Sequence, residues 1–277
     1  MNRPVPLLAA LLAMLLTGCQ QNAPANDQLD AVLWTQTSVE HDLLFRQAYA
    51  SATRHLDQAL ADPTWDALAQ APRALQGLPP AVIIDIDETL LDNIGLNARA
   101  ILADRPYDYS AWYQWVDSAK APALPGAVDF LQAAARRGIT PYYLTNREPG
   151  QEQATLENLR RVGFPIDSSA QILTAGTAIG GCQASGSDKT CRRHWVGTQA
   201  RVLMQLGDSF GDFMATPGSQ QAKLDAARPY FAWLGERWFL LPNPTYGSWY
   251  SAPYQGRDGL SEQQKRAFKH KALKPQY

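Results

Sequence analysis

Short, continuously apolar runs alternate along the chain with segments whose apolar residues recur at helical spacing. The runs predict buried parallel strands at residues 81–84, 140–144, 172–173, 201–206 and 238–241. Helices are predicted between them, over 125–137, which begins with Pro125 and ends before Gly138, and over about 150–162, before Gly163. Helices that alternate with short apolar strands predict an α/β fold with a mostly parallel sheet.

Helical periodicity also marks the segment that precedes the first strand. From Asn26 onward, apolar residues recur at spacings of about three, four and seven, namely Leu29, Val32, Leu33, Leu43, Leu44, Ala48, Leu56 and Leu60. Pro79 and Pro80 then separate this segment from the first predicted strand. The pattern therefore predicts a helical N-terminal region ahead of the sheet.

The first 18 residues have the pattern of a secretory signal. They carry one charge, Arg3, and an apolar run that is shorter than the ~20 residues of a membrane-spanning helix. Leu16-Thr17-Gly18-Cys19 resembles a bacterial lipobox, which predicts a lipidated Cys19 and a membrane anchor, and the polar residues 19–26 predict a flexible tether. The alternative is an ordinary signal peptide that happens to contain a cysteine. Gln20 after Cys19 favours the outer membrane, facing the periplasm or the surface.

Composition and charge narrow the functional classes. Lys and Arg number 25 against 26 Asp and Glu, which gives a formal net charge of −1 and argues against nucleic-acid binding. An apolar fraction of 45% supports a folded core. Four scattered histidines and three cysteines, without a CxxC or HExxH pattern, disfavour a zinc site.

Two cysteines, Cys182 and Cys191, lie nine positions apart. Because the chain is predicted to be exported to an oxidising compartment, we expect them to form a disulfide, with two unpaired thiols as the alternative.

Polar and acidic residues stand at the ends of three of the predicted strands. Ligands of parallel sheets bind at this edge. The residues concerned lie in Asp85-Ile86-Asp87-Glu88-Thr89, in Thr145-Asn146-Arg147 and in Gly207-Asp208-Ser209-Phe210-Gly211-Asp212, with Lys189 between the second and third groups. A single Asp after a strand is usually a turn former or helix cap. Four acids that converge would repel one another without a cation, and carboxylate oxygens suit Mg²⁺.

The same residue types fit phosphoryl transfer. A carboxylate such as Asp85 can attack a phosphoryl group and form an aspartyl-phosphate, while Asp87 protonates the leaving oxygen and later activates water. Asp208 would complete a metal site, Thr145 would donate to a phosphoryl oxygen, and Lys189 would neutralise charge.

These segments resemble the four motifs of the haloacid dehalogenase (HAD) superfamily. Residues 85–93, 112–117, 125–128 and 241–249, together with the lipobox, make the chain similar to the class C acid phosphatases, bacterial lipoproteins that also act as 5′-nucleotidases. The resemblance implies a Rossmann-like domain over 27–277, with helical segments at 27–78 and about 95–123 covering the site.

The resemblance also implies a ligand set. Mg²⁺ would be held by Asp85, the main-chain carbonyl of Asp87 and Asp208, with Asp212 in the outer shell. Substrates would be nucleoside monophosphates and other small phosphomonoesters, contacted by candidates that include Asn146, Arg147, Trp115 and Tyr246. The chain reads Ile94-Gly95-Leu96-Asn97 where members of the similar family carry an aromatic residue, so it lacks at this position the stacking partner for a nucleobase that the resemblance implies.

Other functions remain open at this point. A phosphate-binding loop of an ATPase fails on spacing, because Ser187 and Asp188 stand between Gly186 and Lys189. A lipoprotein that only binds a ligand or partner on the same fold is one alternative. A phosphatase or phosphotransferase for non-nucleotide esters is another. The sequence does not determine the oligomeric state, and a homodimer is one alternative.

Overall fold

Five parallel strands form the centre of the protein in the computed structural model, which describes residues 26–69, 73–182, 186–215 and 218–276. The strand order is β3-β2-β1-β4-β5, so β1 is central. The strands are β1 (Pro80–Ile84), β2 (Thr140–Leu144), β3 (Ile172–Leu173), β4 (Arg201–Gly207) and β5 (Trp238–Leu240). Each lies within one residue of its predicted bounds. The predicted α/β fold with a mostly parallel sheet is therefore confirmed.

Helices occupy the segments between and around the strands. They are α1 (Leu29–Thr37), α2 (Val39–Ala61), α3 (Ile94–Leu102), α4 (Tyr109–Asp117), α5 (Ala127–Arg136), α6 (Glu152–Arg161), α7 (Thr190–Gln199), α8 (Gln220–Ala227), α9 (Ser248–Ser251) and α10 (Glu262–Ala272). The helices predicted over 125–137 and 150–162 correspond to α5 and α6 and are slightly shorter than predicted.

The apolar strands are buried on both faces of the sheet. Val82 and Ile84 of β1 pack in one hydrophobic cluster with residues of α2, α5 and α6. Ile83 points to the opposite face, where it joins a second cluster that contains Val196 of α7. Alternate residues of one strand thus serve two helical layers, which explains why the strand is apolar at every position.

The N-terminal helical region packs differently from the pattern that predicted it. Leu29, Leu33 and Leu43 are more than half exposed, whereas α2 buries a stripe with alternating spacings of four and three, formed by Phe45, Tyr49, Ala52, Leu56 and Ala59. The predicted helical segment 27–78 ends at Ala61, and the described residues 62–69 and 73–78 lie outside helices. Helix α2 flanks the sheet and contacts α5, β4 and β5.

In the described part of the chain, no helix combines the length and the hydropathy that crossing a bilayer requires. The predicted signal segment 1–18, Cys19 and all but the last residue of the predicted tether lie outside the described residues.

Candidate active site

The turn that follows β1 carries the first two predicted carboxylates. The amide of Asp85 donates to a carbonyl of β4 and so continues the sheet ladder for one more residue. The chain then folds back, because the carbonyl of Ile86 accepts from the amide of Leu90 at 2.8 Å. Glu88 lies within this turn in a left-handed conformation, with φ of 55°. The tight turn holds Asp85 and Asp87 at the carboxyl edge of the central strand.

Lys189 lies between two of the predicted acids. Its Nζ donates to Oδ1 of Asp85 at 2.5 Å and to Oδ1 of Asp212 at 2.7 Å. The Lys189 side chain is buried at the N-terminus of α7. Carboxylate oxygens of Asp85, Asp208 and Asp212 all lie within 4.8 Å of one another. One buried lysine is therefore bonded to two members of a cluster of three carboxylates.

The electrostatics of this cluster favour a further cation. Burial raises the pKa of Asp85 well above its usual range, and the neighbouring carboxylates raise it further against the lowering effect of Lys189. Burial and the charge of Asp212 raise the pKa of Asp208 to about 7. Burial alone would lower the pKa of Lys189, but Asp212 and Asp85 raise it, so the lysine stays charged. A divalent cation with oxygen ligands fits the uncompensated charge of this cluster.

Asp208 follows β4 and is fixed by two polar neighbours. Its Oδ2 accepts from Nδ2 of Asn243 at 2.8 Å, and its Oδ1 accepts from Oγ1 of Thr89 at 3.3 Å. Asn243 was not among the predicted site residues. The signal was available, since Asn243 follows β5 at the same edge of the sheet.

Asp212 is held in a short helical turn over the end of β4. Its Oδ2 accepts from the amide of Ser209 at 2.8 Å, while its Oδ1 bonds to Lys189. A Cβ atom at Gly207 would lie 2.3 Å from this same Oδ2. Glycine is therefore required at position 207 by the close approach of the Asp212 carboxylate.

Asp87 contacts a different set of groups. Its carboxylate accepts from Nη2 of Arg147 at 2.8 Å, from Nδ2 of Asn93 at 3.0 Å and from Oγ1 of Thr145 at 3.2 Å. Thr145, predicted to donate to a phosphoryl oxygen, here donates to Asp87. Arg147, predicted to contact substrate, is buried with its guanidinium on Asp87 and Thr155.

Asn146, the second polar residue after β2, accepts a hydrogen bond from a buried arginine. Its Oδ1 accepts from Nη2 of Arg192 at 3.1 Å, and Nη1 of Arg192 donates to the carbonyls of Thr145 and Leu173. Neighbouring Arg193 is buried as well and bonds to Thr190 and to the carbonyl of Gly211. Neither Arg192 nor Arg193 was among the predicted site residues.

The two predicted substrate-contacting aromatic residues differ in their surroundings. Tyr246 is 40% exposed, and its hydroxyl donates to Oε2 of Glu88. Burial, with the nearby charge of Asp87, raises the pKa of Glu88 to about 8. The indole Nε1 of Trp115, in contrast, donates to Oδ1 of Asn93 at 2.7 Å, and its ring packs against the main core. Only Tyr246 presents much of its surface to solvent.

The predicted disulfide between Cys182 and Cys191 is confirmed. The two Cα atoms are 5.6 Å apart and the sulfur atoms are bonded. Because Cys191 lies in the first turn of α7, the bridge ties down the helix end that carries Lys189.

Comparisons with known proteins agree with this geometry. A sequence model of the family described as HAD superfamily, subfamily IIIB (acid phosphatase) matches residues 17–249. The class C acid phosphatase of Bacillus anthracis superposes with a TM-score of 0.78 and 33% identity over 90% of this chain and 98% of the other. A crystal structure of that enzyme with tungstate bound superposes with a TM-score of 0.76 and 32% identity, at the same coverage.

Two plant proteins are more distant relatives. Acid phosphatase 1 of Solanum lycopersicum is 26% identical over 164 residues, which are 59% of this chain and 57% of that protein. Vegetative storage protein 2 of Arabidopsis thaliana is 27% identical over 166 residues, which are 59% of this chain and 55% of that protein. The chain thus spans little more than half the length of these curated relatives.

Proposed function

Because the chain belongs to the acid phosphatases of HAD subfamily IIIB, we propose that it hydrolyses small phosphomonoesters through a phosphorylated Asp85. The observation that carries the proposal is the buried Lys189, bonded to both Asp85 and Asp212 next to Asp208 at the end of the central strand. A fixed cation beside a carboxylate offsets the repulsion between that carboxylate and an anionic phosphoryl group, so the carboxylate can attack phosphorus. The tungstate complex of the Bacillus anthracis enzyme supports a site for a tetrahedral oxyanion.

Hydrolysis would take two displacements at phosphorus. In the first, an Asp85 oxygen bonds to phosphorus while the bond to the leaving oxygen breaks, and the Asp87 carboxyl gives its proton to that oxygen. In the second, a water oxygen bonds to phosphorus while the bond to Asp85 breaks, and Asp87 takes up the proton of the water. The products are the alcohol and inorganic phosphate, and both aspartates return to their starting states.

The groups around the nucleophile would stabilise the charge of the transferring phosphoryl. Lys189 supplies a permanent positive charge at Asp85, and Asp212 keeps its ammonium group in place. Asp85, the main-chain carbonyl of Asp87 and Asp208 would hold Mg²⁺, with Asp212 in the outer shell. When bound, this ion supplies charge neutralisation at the phosphoryl oxygens.

Nucleoside 5′-monophosphates are the proposed substrates among small phosphomonoesters. The half-exposed ring of Tyr246 lies next to Glu88, one residue from the proposed acid and base, and offers a face to a base or an aryl group. The ring of Trp115 packs against the main core and its centre lies 5.4 Å from the guanidinium carbon of Arg99, so less of it is open to a substrate than the resemblance implies.

Two alternatives remain distinguishable from this proposal. A non-catalytic protein on the same fold is suggested by the likeness to a vegetative storage protein. Against it stands the complete set of nucleophile, acid and base, lysine and acidic cluster. A phosphatase for non-nucleotide esters, or a phosphotransferase, would use the same residues, and a substrate panel with an added alcohol acceptor would separate them.

The deciding experiment measures phosphate release from 5′-AMP and from an aryl phosphate at pH 5–8. We expect turnover by the wild type, loss on chelation, recovery with Mg²⁺, and a loss of about 10³-fold or more in Asp85→Asn. Asp57→Asn is the matched control, since Asp57 bonds to Arg137 on the surface. No turnover by folded, Mg²⁺-supplied wild type on either substrate would overturn the proposal and favour a binding protein.

The proposed location is a membrane surface, reached through a lipid on Cys19. In cells, Cys19→Ala should move the protein from the membrane fraction to the soluble fraction without loss of specific activity. The control is wild type released by detergent. Retention of Cys19→Ala in the membrane fraction would contradict the anchor.

A further inference from the structure

The carboxylate of Asp87 is held by donors from three directions. Arg147 contacts it through Nε and Nη2, Asn93 through Nδ2 and Thr145 through Oγ1. The side chain of Asp87 is only 14% exposed. A carboxylate with this many fixed donors has one preferred orientation, whereas an exposed carboxylate would rotate freely.

Trp115 contacts the side chain of Asn93 and determines the orientation of its amide group. Nε1 of Trp115 donates to Oδ1 of Asn93 at 2.7 Å. Because an indole N–H can only donate, it fixes the amide oxygen on its own side and turns the NH₂ group toward Asp87. The main-chain N–H of Asn93 donates to Glu88, so the residue is fixed at both ends.

Arg147 is fixed just as firmly on the other side of Asp87. It is buried, and its Nη1 donates to Oγ1 of Thr155 at 3.0 Å, which in turn donates to the carbonyl of Gln151. Its guanidinium also lies 5.9 Å from the ring centre of Trp112. Helix α4 thus places Trp112 and Trp115 against the two principal partners of Asp87.

We propose that Trp115, Asn93 and Arg147 are positioning residues that aim the Asp87 carboxyl at the leaving oxygen. The inference rests on the proposed function, in which Asp87 gives its proton to that oxygen as the bond to phosphorus breaks. Trp115 and Arg147, predicted from the sequence to contact substrate, act through Asp87 instead.

Leaving-group dependence separates this role from a merely structural one. A 4-nitrophenolate departs readily without a proton, whereas phenolate and alkoxide leaving groups need one. A misplaced Asp87 carboxyl therefore slows the hydrolysis of esters with poor leaving groups selectively. A less stable fold, in contrast, slows the hydrolysis of all esters alike. The ratio kcat/KM is the proper readout, because it reports the steps up to departure of the leaving group.

The test compares Trp115→Phe with wild type on 4-nitrophenyl phosphate, phenyl phosphate and an alkyl phosphate, with Mg²⁺ present. Phenylalanine keeps an aromatic ring but removes the N–H donor together with part of the indole, a truncation that the control variant shares. We expect kcat/KM to fall about tenfold or more for the alkyl ester and less than about twofold for the nitrophenyl ester. The larger loss stays below the rate enhancement of about 10²-fold or more that a general acid contributes. Trp233→Phe, whose ring packs against Trp238 of the edge strand β5, is the matched control and should leave all three values unchanged.

A second variant, Asn93→Ala, removes the donor to Asp87 directly and should show the same selectivity. Arg147→Lys keeps the charge but loses the paired donors, so its effect should fall on the same substrates. Equal losses on all three esters, or no loss on any, would overturn the inference. Wild type without activity on any ester would instead overturn the proposed function, so the two failures are distinguishable.

Discussion

At the scale of single residues, the carboxylates at the end of β1 and β4 carry more negative charge than Lys189 balances. Glu88 and Asp208 have pKa values raised by burial, to about 8 and about 7, from ordinary values of 4.5 and 3.8. Between about pH 4 and pH 8 the folded, metal-free protein therefore retains protons that the unfolded chain has already released. Because the unfolded state binds fewer protons in this window, the free energy of unfolding decreases as the pH rises.

This sign predicts an unusual pH dependence of stability. In chelator, the Tm at pH 8 should lie several degrees below that at pH 5, as measured by a thermal melt. Added Mg²⁺ should raise the Tm more at pH 8, where protons no longer neutralise the cluster, than at pH 5. Asp208→Asn should reduce both differences. A Tm in chelator that increases from pH 5 to pH 8 would contradict the prediction.

Gly207 gives a second prediction at this scale. In Gly207→Ala the added methyl group would collide with Oδ2 of Asp212, 2.3 Å away, and displace the carboxylate that holds Lys189. We expect kcat to fall about tenfold or more and half-maximal activity to require more Mg²⁺. Gly95→Ala, where no atom lies within 4 Å of the added methyl group, should behave like wild type. Unchanged activity of Gly207→Ala would show that Asp212 moves without consequence.

The sequence predicted which residues gather at the site better than it predicted their contacts. Asp85, Asp208, Asp212 and Lys189 meet at the strand ends because parallel strands place their carboxyl ends at one edge. Periodicity has no information about where a long side chain ends, so the pairing of Arg147 with Asp87 was not foreseen. Contacts of this kind are set by the packing of separate elements.

At the level of elements, the first turn of α7 links Lys189 to a disulfide. The Cys182–Cys191 bridge closes a short loop ahead of the helix, and Lys189 lies within that loop. A disulfide that closes such a short loop contributes about 2 to 3 kcal/mol to the free energy of unfolding, because it restricts the unfolded chain. The bridge also restricts the positions that Lys189 can take relative to Asp85.

Replacement of both cysteines by serine should therefore affect activity as well as stability. We expect a lower Tm and a kcat reduced about threefold or more, with KM for an aryl phosphate changed less. A thiol reductant added to wild type should reproduce the loss, and the double variant should be insensitive to it. Equal kcat values for the oxidised and reduced wild type would argue that Lys189 is fixed by its carboxylates alone.

The strands were predicted closely because their apolar runs are buried on both faces, which leaves little freedom in placing them. The buried faces of the N-terminal helices were harder to predict. The predicted stripe included Leu29, Leu33 and Leu43, all exposed, while the buried face of α2 contains Phe45 and Tyr49. Apolar residues on the outer face of a helix add the same periodic signal as those on its inner face. Helix existence was therefore predictable, but its orientation depended on the sheet.

In the molecule as a whole, the start of α1 is hydrogen-bonded to the segment that follows β5, next to the acidic cluster. Nε2 of Gln28 donates to the carbonyl of Thr245, and Asp27 accepts from Nζ of Lys269 at 2.9 Å. Thr245 donates to Asn243, which in turn holds Asp208. The N-terminal end of the described chain and the acidic cluster are thus connected by a short series of hydrogen bonds.

This attachment has a consequence for a protein anchored through Cys19. Cys19 and Asn26 are seven positions apart, which gives a reach of about 25 Å at full extension. The acidic cluster and the segment that follows β5 would then lie close to the lipid headgroups. At a surface potential of about −30 mV, a dianionic phosphate ester is depleted roughly tenfold and a divalent cation is enriched by the same factor. The anchored enzyme would therefore encounter its substrate at a local concentration set by membrane charge and ionic strength.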